Sequence, residues 1–307
     1  MKIYDFKDYD KLFVIGDVHG DFGTLFFNIK QGLKYNIKAF NEKKWENKID
    51  DEFHYDRPQN GIPHMINKDN YNNSIMVVAG DCGFGFSKKQ FYLDTLKKMD
   101  KILESCNTHL LFVRGNHDDP SYFKENILNF NNIMCVDDYS VIITKNFNTL
   151  CVGGGLSLDR SWRIKEEGRI NFHRGKNDKK KLYWEDEMPE FIPFELNKIK
   201  MKGINIDSLI THTAPSFIRP KDSNNEWIKE DSSLKNDLKK EKEVMNNLFK
   251  YYYENYKTKI KFWAHGHFHY FGKKKYDEVH FLSLRPLMIF DINYLSDSHL
   301  KTPKSLV

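Results

Sequence analysis

Short apolar runs that stop abruptly on Gly, Asp, Asn or His set the rhythm of this chain. Five define it: Leu12–Gly20 (LFVIGDVHG), Ile75–Gly83 (IMVVAGDCG), Leu110–Asp119 (LLFVRGNHDD), Ser208–Pro215 (SLITHTAP) and Lys261–His269 (KFWAHGHFH). Continuous apolar runs bounded by turn residues predict central strands covered on both faces. Helical spacing follows the first two. Phe22–Leu33 carries Leu25, Phe26, Ile29 and Leu33; Gln90–Leu103 carries Leu93, Leu96, Met99 and Leu103. Strand, loop and helix in alternation predict an α/β architecture, whose functional groups gather just past the strand ends. Ser140–Gly155 (SVIITKNFNTLCVGGG) breaks the alternation and predicts a hairpin turning at Lys145–Asn148, so the sheets are at least partly antiparallel. Val279–Ile292 predicts two further strands, broken at Arg285–Pro286.

Polar stretches near 41–74, 159–193 and 219–258 interrupt this frame. The last holds a helical pattern over Ser232–Tyr256, with Leu234, Leu238, Met245, Leu248 and Tyr252. They read as lids or rims inserted into one domain spanning 1–296, with 297–307 as a flexible tail. The composition, 40% hydrophobic over 307 residues, is sufficient for a sizeable core. A net charge of +5 is mild at this length and favours a solvated lysine-rich surface over a nucleic-acid groove. The Lys179–Lys181 and Lys273–Lys275 runs read the same way. No stretch approaches the roughly 18 apolar residues of a membrane span. The first ten residues, MKIYDFKDYD, hold no apolar signal core. Cys82, Cys106, Cys135 and Cys151 form no C-x-x-C pair, and reduced thiols in a cytoplasmic protein are expected.

The strand ends carry the chemistry: Asp17, His19, Asp81, Asn116, His117, His212, His267 and His269. Carboxylate, amide oxygen and imidazole without thiolate suit Mn²⁺, Zn²⁺ or Fe. So many donors exceed what one ion needs and match two ions sharing a carboxylate. In an extended segment residues two apart point the same way, so His267 and His269 are expected to reach one shared site. His265, on the same strand, reads as satisfied in the core. Gly16, Gly80, Gly115 and Gly266 each precede a ligand, where the backbone is expected to turn sharply.

Five blocks in order resemble the calcineurin-like metallophosphoesterases: GDVHG (Gly16–Gly20), GDCG (Gly80–Gly83), RGNHD (Arg114–Asp118), the His212 of THTAP, and GHFH (Gly266–His269). The resemblance spans Leu12–Ile292. It implies an α/β fold of two packed mixed β-sheets flanked by helices, a four-layer sandwich with metals at the strand ends. It implies Asp17, His19 and His269 on a first ion, Asn116, His212 and His267 on a second, and Asp81 between them. His117 matches the family's non-ligand catalytic histidine, and Arg114 the place where some members set an arginine on the substrate phosphate. Two divalent ions are implied, Mn²⁺ first, with Fe or Zn as alternatives. The implied reaction is hydrolysis of a phosphomonoester or phosphodiester, small or nucleotide-like, by in-line attack of a hydroxide held between the ions. A nuclease acting on DNA or RNA and a non-catalytic scaffold of the same fold are the alternative readings.

Two features depart from the pattern or extend it. Protein serine/threonine phosphatases of the superfamily continue the second block as GDxxDRG, whereas Phe84 stands here at the second Asp. That argues against a protein phosphatase and removes the usual carboxylate partner of His117. Asp118 and Asp119 are the candidates to replace it. Gly153–Arg163 (GGGLSLDRSWR) and Tyr183–Pro189 (YWEDEMP) resemble segments of bacterial and phage-type members. There Asp159, Arg160 and Arg163 are candidates to line the pocket mouth, with Arg160 and Arg163 as substrate contacts.

Overall fold

Burial on both faces is the physical meaning of a continuous apolar strand, and the computed structural model shows where the two faces go. It describes residues 1–33, 71–125, 127–128, 130–174, 178–220, 225–255 and 260–293. Nearly all of the expected 41–74 insert, and the whole of the expected tail at 297–307, lie outside the described residues.

The smaller sheet has five strands. In it β2 (Lys11–Ile15), β3 (Ser74–Val78), β4 (Thr108–Phe112) and β5 (Ile133–Cys135) run parallel. Strand β12 (Ile289–Asp291) closes it antiparallel to β2, giving the order β12-β2-β3-β4-β5. The larger sheet has seven strands: β1 (Ile3–Phe6), β6 (Ser140–Thr144), β7 (Asn148–Val152), β8 (Ser208–Thr211), β9 (Phe262–His265), β10 (Gly272–Tyr276) and β11 (Val279–Ser283). Their order is β1-β6-β7-β8-β9-β11-β10. The expected hairpin is β6–β7, and β10–β11 is the second antiparallel pair. The break at Arg285–Pro286 is where the chain leaves β11 in one sheet and enters β12 in the other.

Side chains alternate across each strand and sort into three apolar layers. Leu12, Val14, Ile75, Val77, Leu111 and Val113 meet Ile142, Cys151, Ile210, Phe262, Ala264 and Leu282 between the sheets. Phe13, Ile15, Met76, Val78, Leu110 and Phe112 face the other way, onto helices α1 (Phe22–Gly32) and α2 (Lys89–Ser105). On the far side Val141, Leu150, Val152, Leu209, Trp263 and Phe281 pack on α5 (Pro193–Met201) and α7 (Leu234–Asn255). The result is helix, sheet, sheet, helix. Each fully buried aliphatic or aromatic side chain contributes about 1.5–3 kcal/mol, which fixes register, because a one-residue slip would exchange the layers.

Helix α1 begins where Asp21 caps it, its carboxylate accepting from the Thr24 N–H at 3.0 Å. Three further helices complete the seven among the described residues: α3 (Ser121–Lys124), α4 (Arg160–Phe172) and α6 (Asn225–Glu230). Strand β10 holds the Lys273–Lys275 run on the exposed edge of the larger sheet, where lysines oppose pairing with another chain. No described helix is long and apolar enough to cross a membrane.

Candidate metal centre

Every predicted ligand lies just beyond the C-terminal end of a strand. Asp17 and His19 follow β2, Asp81 follows β3, and Asn116 and His117 follow β4. His212 follows β8, and His267 and His269 follow β9. They form two adjoining clusters.

In the first cluster, Asp17 Oδ2 and His19 Nε2 stand 3.0 and 2.9 Å from His269 Nε2. One donor atom from each of Asp17, His19, Asp81 and His269 lies within 4.8 Å of the others. In the second, Asn116 Oδ1 is 2.8 Å from His212 Nε2 and 3.0 Å from His267 Nδ1. His212 Nε2 in turn is 3.2 Å from both His267 Nδ1 and Asp81 Oδ1.

These separations fit a cation. Donors bound at about 2.1 Å in tetrahedral or octahedral array stand about 3.0–3.4 Å apart. The second cluster is also short of protons, because Asn116 Oδ1 and Asp81 Oδ1 accept only. The outer nitrogen of His212 meets the Ala79 carbonyl at 2.9 Å, so Nδ1 carries one proton and Nε2 faces the cluster, where a cation would replace the proton that the carboxylates draw there. Burial opposes a charge on His212, yet Asp81 and Asp17 hold its pKa up to about 10. Two buried carboxylates demand positive charge at this point. Burial likewise opposes ionisation of Asp81, and His117, His212 and His19 hold it well below the usual carboxylate range.

The backbone reaches this geometry only in part as the sequence expectation has it: Gly80 does turn, at φ 100°. The left-handed residues at these loops include candidate ligands themselves: His19 (φ 50°), Asp81 (φ 47°), His267 (φ 67°) and His269 (φ 54°). Each such residue stores about 1–3 kcal/mol of strain. His267 and His269 are therefore not in an extended segment; their rings diverge, one to each cluster. Gly115 and Gly266 serve close approach rather than turning. A Cβ on Gly115 would lie 2.0 Å from the Asp81 nitrogen, and one on Gly266 would lie 1.9 Å from Asp17 Oδ1. His265 is buried as expected, with Nε2 2.8 Å from Ser283 Oγ.

Neither candidate carboxylate partners His117. Asp118 is a latch for the loop after β3: it accepts from the N–H groups of Cys82 (3.0 Å), Gly83 (2.7 Å), Phe84 (3.0 Å) and Gly115 (2.8 Å). Burial and Asp81 push its pKa up to about 6 against those donors. Asp119 accepts from the Ser121 N–H at 3.0 Å. Phe84 itself is fully buried, stacked on Tyr122 with centroids 5.4 Å apart, and a carboxylate there would have neither water nor partner.

His117 meets Arg163 instead. Arg163 Nη2 stands 3.3 Å from His117 Nδ1, and Asp81 Oδ2 lies 3.6 Å from the same nitrogen. Arginine cannot accept, so Nδ1 accepts and the ring proton sits on Nε2. Burial, helped by Arg163 and opposed by Asp81, brings the His117 pKa down to about 4, which keeps the ring neutral. Arg163 is 4% exposed and anchored by Asp159 at 2.8 Å, so it is a buried support rather than a side chain at the pocket mouth.

The other two arginines are spent on the protein. Arg114 donates from Nη1 to the carbonyls of Asp186 (3.1 Å) and Glu187 (2.9 Å), and from Nη2 to Asp138 at 3.0 Å. It clamps the Tyr183–Pro189 segment rather than offering a fork to phosphate. Arg160 donates to Asp231 (2.8 Å), Asp237 (2.8 Å) and Ser233 (2.6 Å), tying α4 to the start of α7. Sequence reasoning did not single out Ser157, Glu187 and Glu241, which lie behind the ligands. Glu241 Oε1 is 4.0 Å from His267 Nε2, and its carboxylate pairs with Arg219. Ser157 and Glu187 lie inside the Gly153–Arg163 and Tyr183–Pro189 segments noted from the sequence, but nothing there distinguishes them from their neighbours, and nothing in the pattern around Glu241 marks it.

The profile of the calcineurin-like phosphoesterases (Metallophos) matches residues 11–271, so the chain belongs to that family. No curated protein matches it in sequence. Among solved structures, the crystal structure of phosphopantetheinyl hydrolase (PptH) from Mycobacterium tuberculosis is similar at a TM-score of 0.39 and 12% identity. That alignment covers 80% of this chain and 94% of the other.

Proposed function

We propose that the protein is a dinuclear metal-dependent phosphoesterase that hydrolyses small or nucleotide-like phosphomonoesters or phosphodiesters, with Mn²⁺ as the first-choice ion. One observation carries the reading: seven side chains from both sheets converge on two donor clusters that share Asp81. Asp17, His19 and His269 with Asp81 would hold one cation; Asn116, His212 and His267 with Asp81 the other. Divalent cations bound there supply Lewis-acid chemistry, polarising a phosphate ester and acidifying water.

The chain's own residues supply access and proton placement. His212 is fully buried and the His267 side chain is 13% exposed, whereas His269 is 50% exposed. The ester therefore approaches from the His19–His117–His269 side. Asp81 Oδ1 accepts the backbone N–H of His117 at 2.8 Å, which fixes the loop, and Arg163 holds ring Nδ1, so ring Nε2–H is the donor left for the departing oxygen. Four free, buried cysteines suit a reducing compartment, the cytoplasm.

The test is a Mn²⁺-dependent assay on p-nitrophenyl phosphate, its bis-ester, cyclic nucleotides, dinucleoside polyphosphates and single-stranded oligonucleotides. Turnover of at least one small ester is expected, abolished by chelator and by Asp81→Asn. His117→Ala should lower kcat about 10²–10⁴-fold, the range for loss of a positioned proton donor. A wild-type protein loaded with two ions yet as inactive as both variants would refute the enzyme. Cleavage of oligonucleotides alone would move the substrate class to nucleic acid.

A further inference from the structure

One second-cluster ligand does not have its donor atom fixed by shape. The Asn116 amide can present either Oδ1 or Nδ2 to the same point, and only the oxygen binds a cation. Two residues outside the metal-ligating set decide between them. Asn116 Nδ2 donates to Ser157 Oγ at 2.9 Å. Ser157 then meets one carboxyl group twice: Oγ is 2.5 Å from Glu187 Oε2, and its backbone N–H donates to Glu187 Oε1 at 2.8 Å. With Nδ2 so engaged, Oδ1 faces His212 and His267.

The three side chains are sealed from water, at 3%, 2% and 0% exposure for Asn116, Ser157 and Glu187. Burial pushes the Glu187 pKa up to about 8, but the orientation survives either protonation state. As a carboxylate, Glu187 takes the hydroxyl proton and leaves the Oγ lone pairs for Nδ2. As an acid carrying its proton on Oε1, it still accepts the hydroxyl proton at Oε2. Glu187 is held in place in turn. Its carbonyl accepts from Arg114 Nη1 at 2.9 Å and from the Gly155 N–H at 3.1 Å.

We propose that Ser157 and Glu187 are positioning residues that hold the Asn116 amide oxygen toward the second cation. The proposal rests on the dinuclear reading above. Through Glu187, the Tyr183–Pro189 segment sets the affinity of one ion although it contributes no ligand of its own.

The experiment titrates metal-free protein with Mn²⁺ by calorimetry, counts bound ions by elemental analysis, and records the thermal midpoint of each metal-free variant. Ser157→Ala and Glu187→Ala should weaken the second ion about 10–100-fold, the usual cost of losing an outer-shell partner, and leave the first within about 3-fold. Glu187→Gln, which can accept from the Ser157 N–H only by donating to Oγ and so turns the Ser157 hydroxyl proton toward Asn116, should weaken the second ion as the alanine variants do. The double alanine variant should bind no more weakly than the worse single one, because the two act in series. Should wild type take two ions and Ser157→Ala keep its second-ion affinity, or lose both equally, the positioning role is wrong while the dinuclear reading stands. A wild type that takes fewer than two ions defeats both.

Discussion

His117 is where a single neighbour decides which ring nitrogen carries the proton. A histidine 3.6 Å from a buried carboxylate would ordinarily take a proton on the facing nitrogen, and Arg163 at 3.3 Å prevents that. Arg163→Met removes the donor, lets Asp81 claim an Nδ1–H, and turns the other lone pair toward the substrate. A fall in kcat of about 10–10²-fold with KM within about 3-fold is expected, and Arg163→Met added to His117→Ala should cost nothing more. Steady-state kinetics on whichever ester wild type turns over decide it; full additivity would show that Arg163 acts independently of His117. The convergence of the candidate ligands was legible because each sits in a short block whose spacing is set by one strand end. Arg163 was legible as a residue near the site but not in its role, since its contact with His117 is made by α4 folding back. Arg114 and Arg160 failed for a related reason: sequence shows a cation beside acids but not which carbonyls and carboxylates reach it first.

Elements were legible in proportion to their apolar burial. Strands β2, β3, β4, β8 and β9 bury both faces and were read from continuous apolar runs, and α1, α2 and α7 from one-sided stripes. Edge strand β10 carries three exposed lysines, and α4 buries Arg163 alone, so neither shows an apolar period. What holds α4 is charge: Arg160 bonded to Asp231 and Asp237 on the chain around α7. Arg160→Met should lower stability by about 1–2 kcal/mol near neutral pH, since the group is largely buried and makes three bonds. Bonding to Arg160 holds Asp231 below the usual carboxylate range; burial works against this for Asp237, but Arg160 and Lys240 prevail. Folded pKa values lie below the unfolded ones, so the contribution is complete above about 4 and fades as pH falls through the folded values. Urea midpoints of wild type and variant should therefore converge in acid. A gap that holds steady down to about pH 3 would mean that α4 is anchored by something other than this network.

At the scale of the whole chain, the two clusters join what the strands keep apart. Asp17, His19, Asp81 and Asn116 come from the smaller sheet, and His212, His267 and His269 from the larger, so each cluster draws on both. Without cations, folding brings two buried carboxylates together and holds four candidate ligands in left-handed strain. Cations bound as proposed would offset both costs in the folded state alone, because the unfolded chain has no such cage. Linkage then sets the size: each site saturated at about 100 times its Kd adds about 2.7 kcal/mol. For a chain of this size the two sites together correspond to a rise of about 8 °C in thermal midpoint. Asp81→Asn should lose most of the rise, because both clusters share that carboxylate, and His117→Ala, which holds no ion, should keep all of it. Since every donor set bridges the sheets, calorimetry should record one transition moving as a unit. Two transitions, with only one responding to Mn²⁺, would mean that the ions sit within one sheet's loops and that the shared-carboxylate arrangement is wrong.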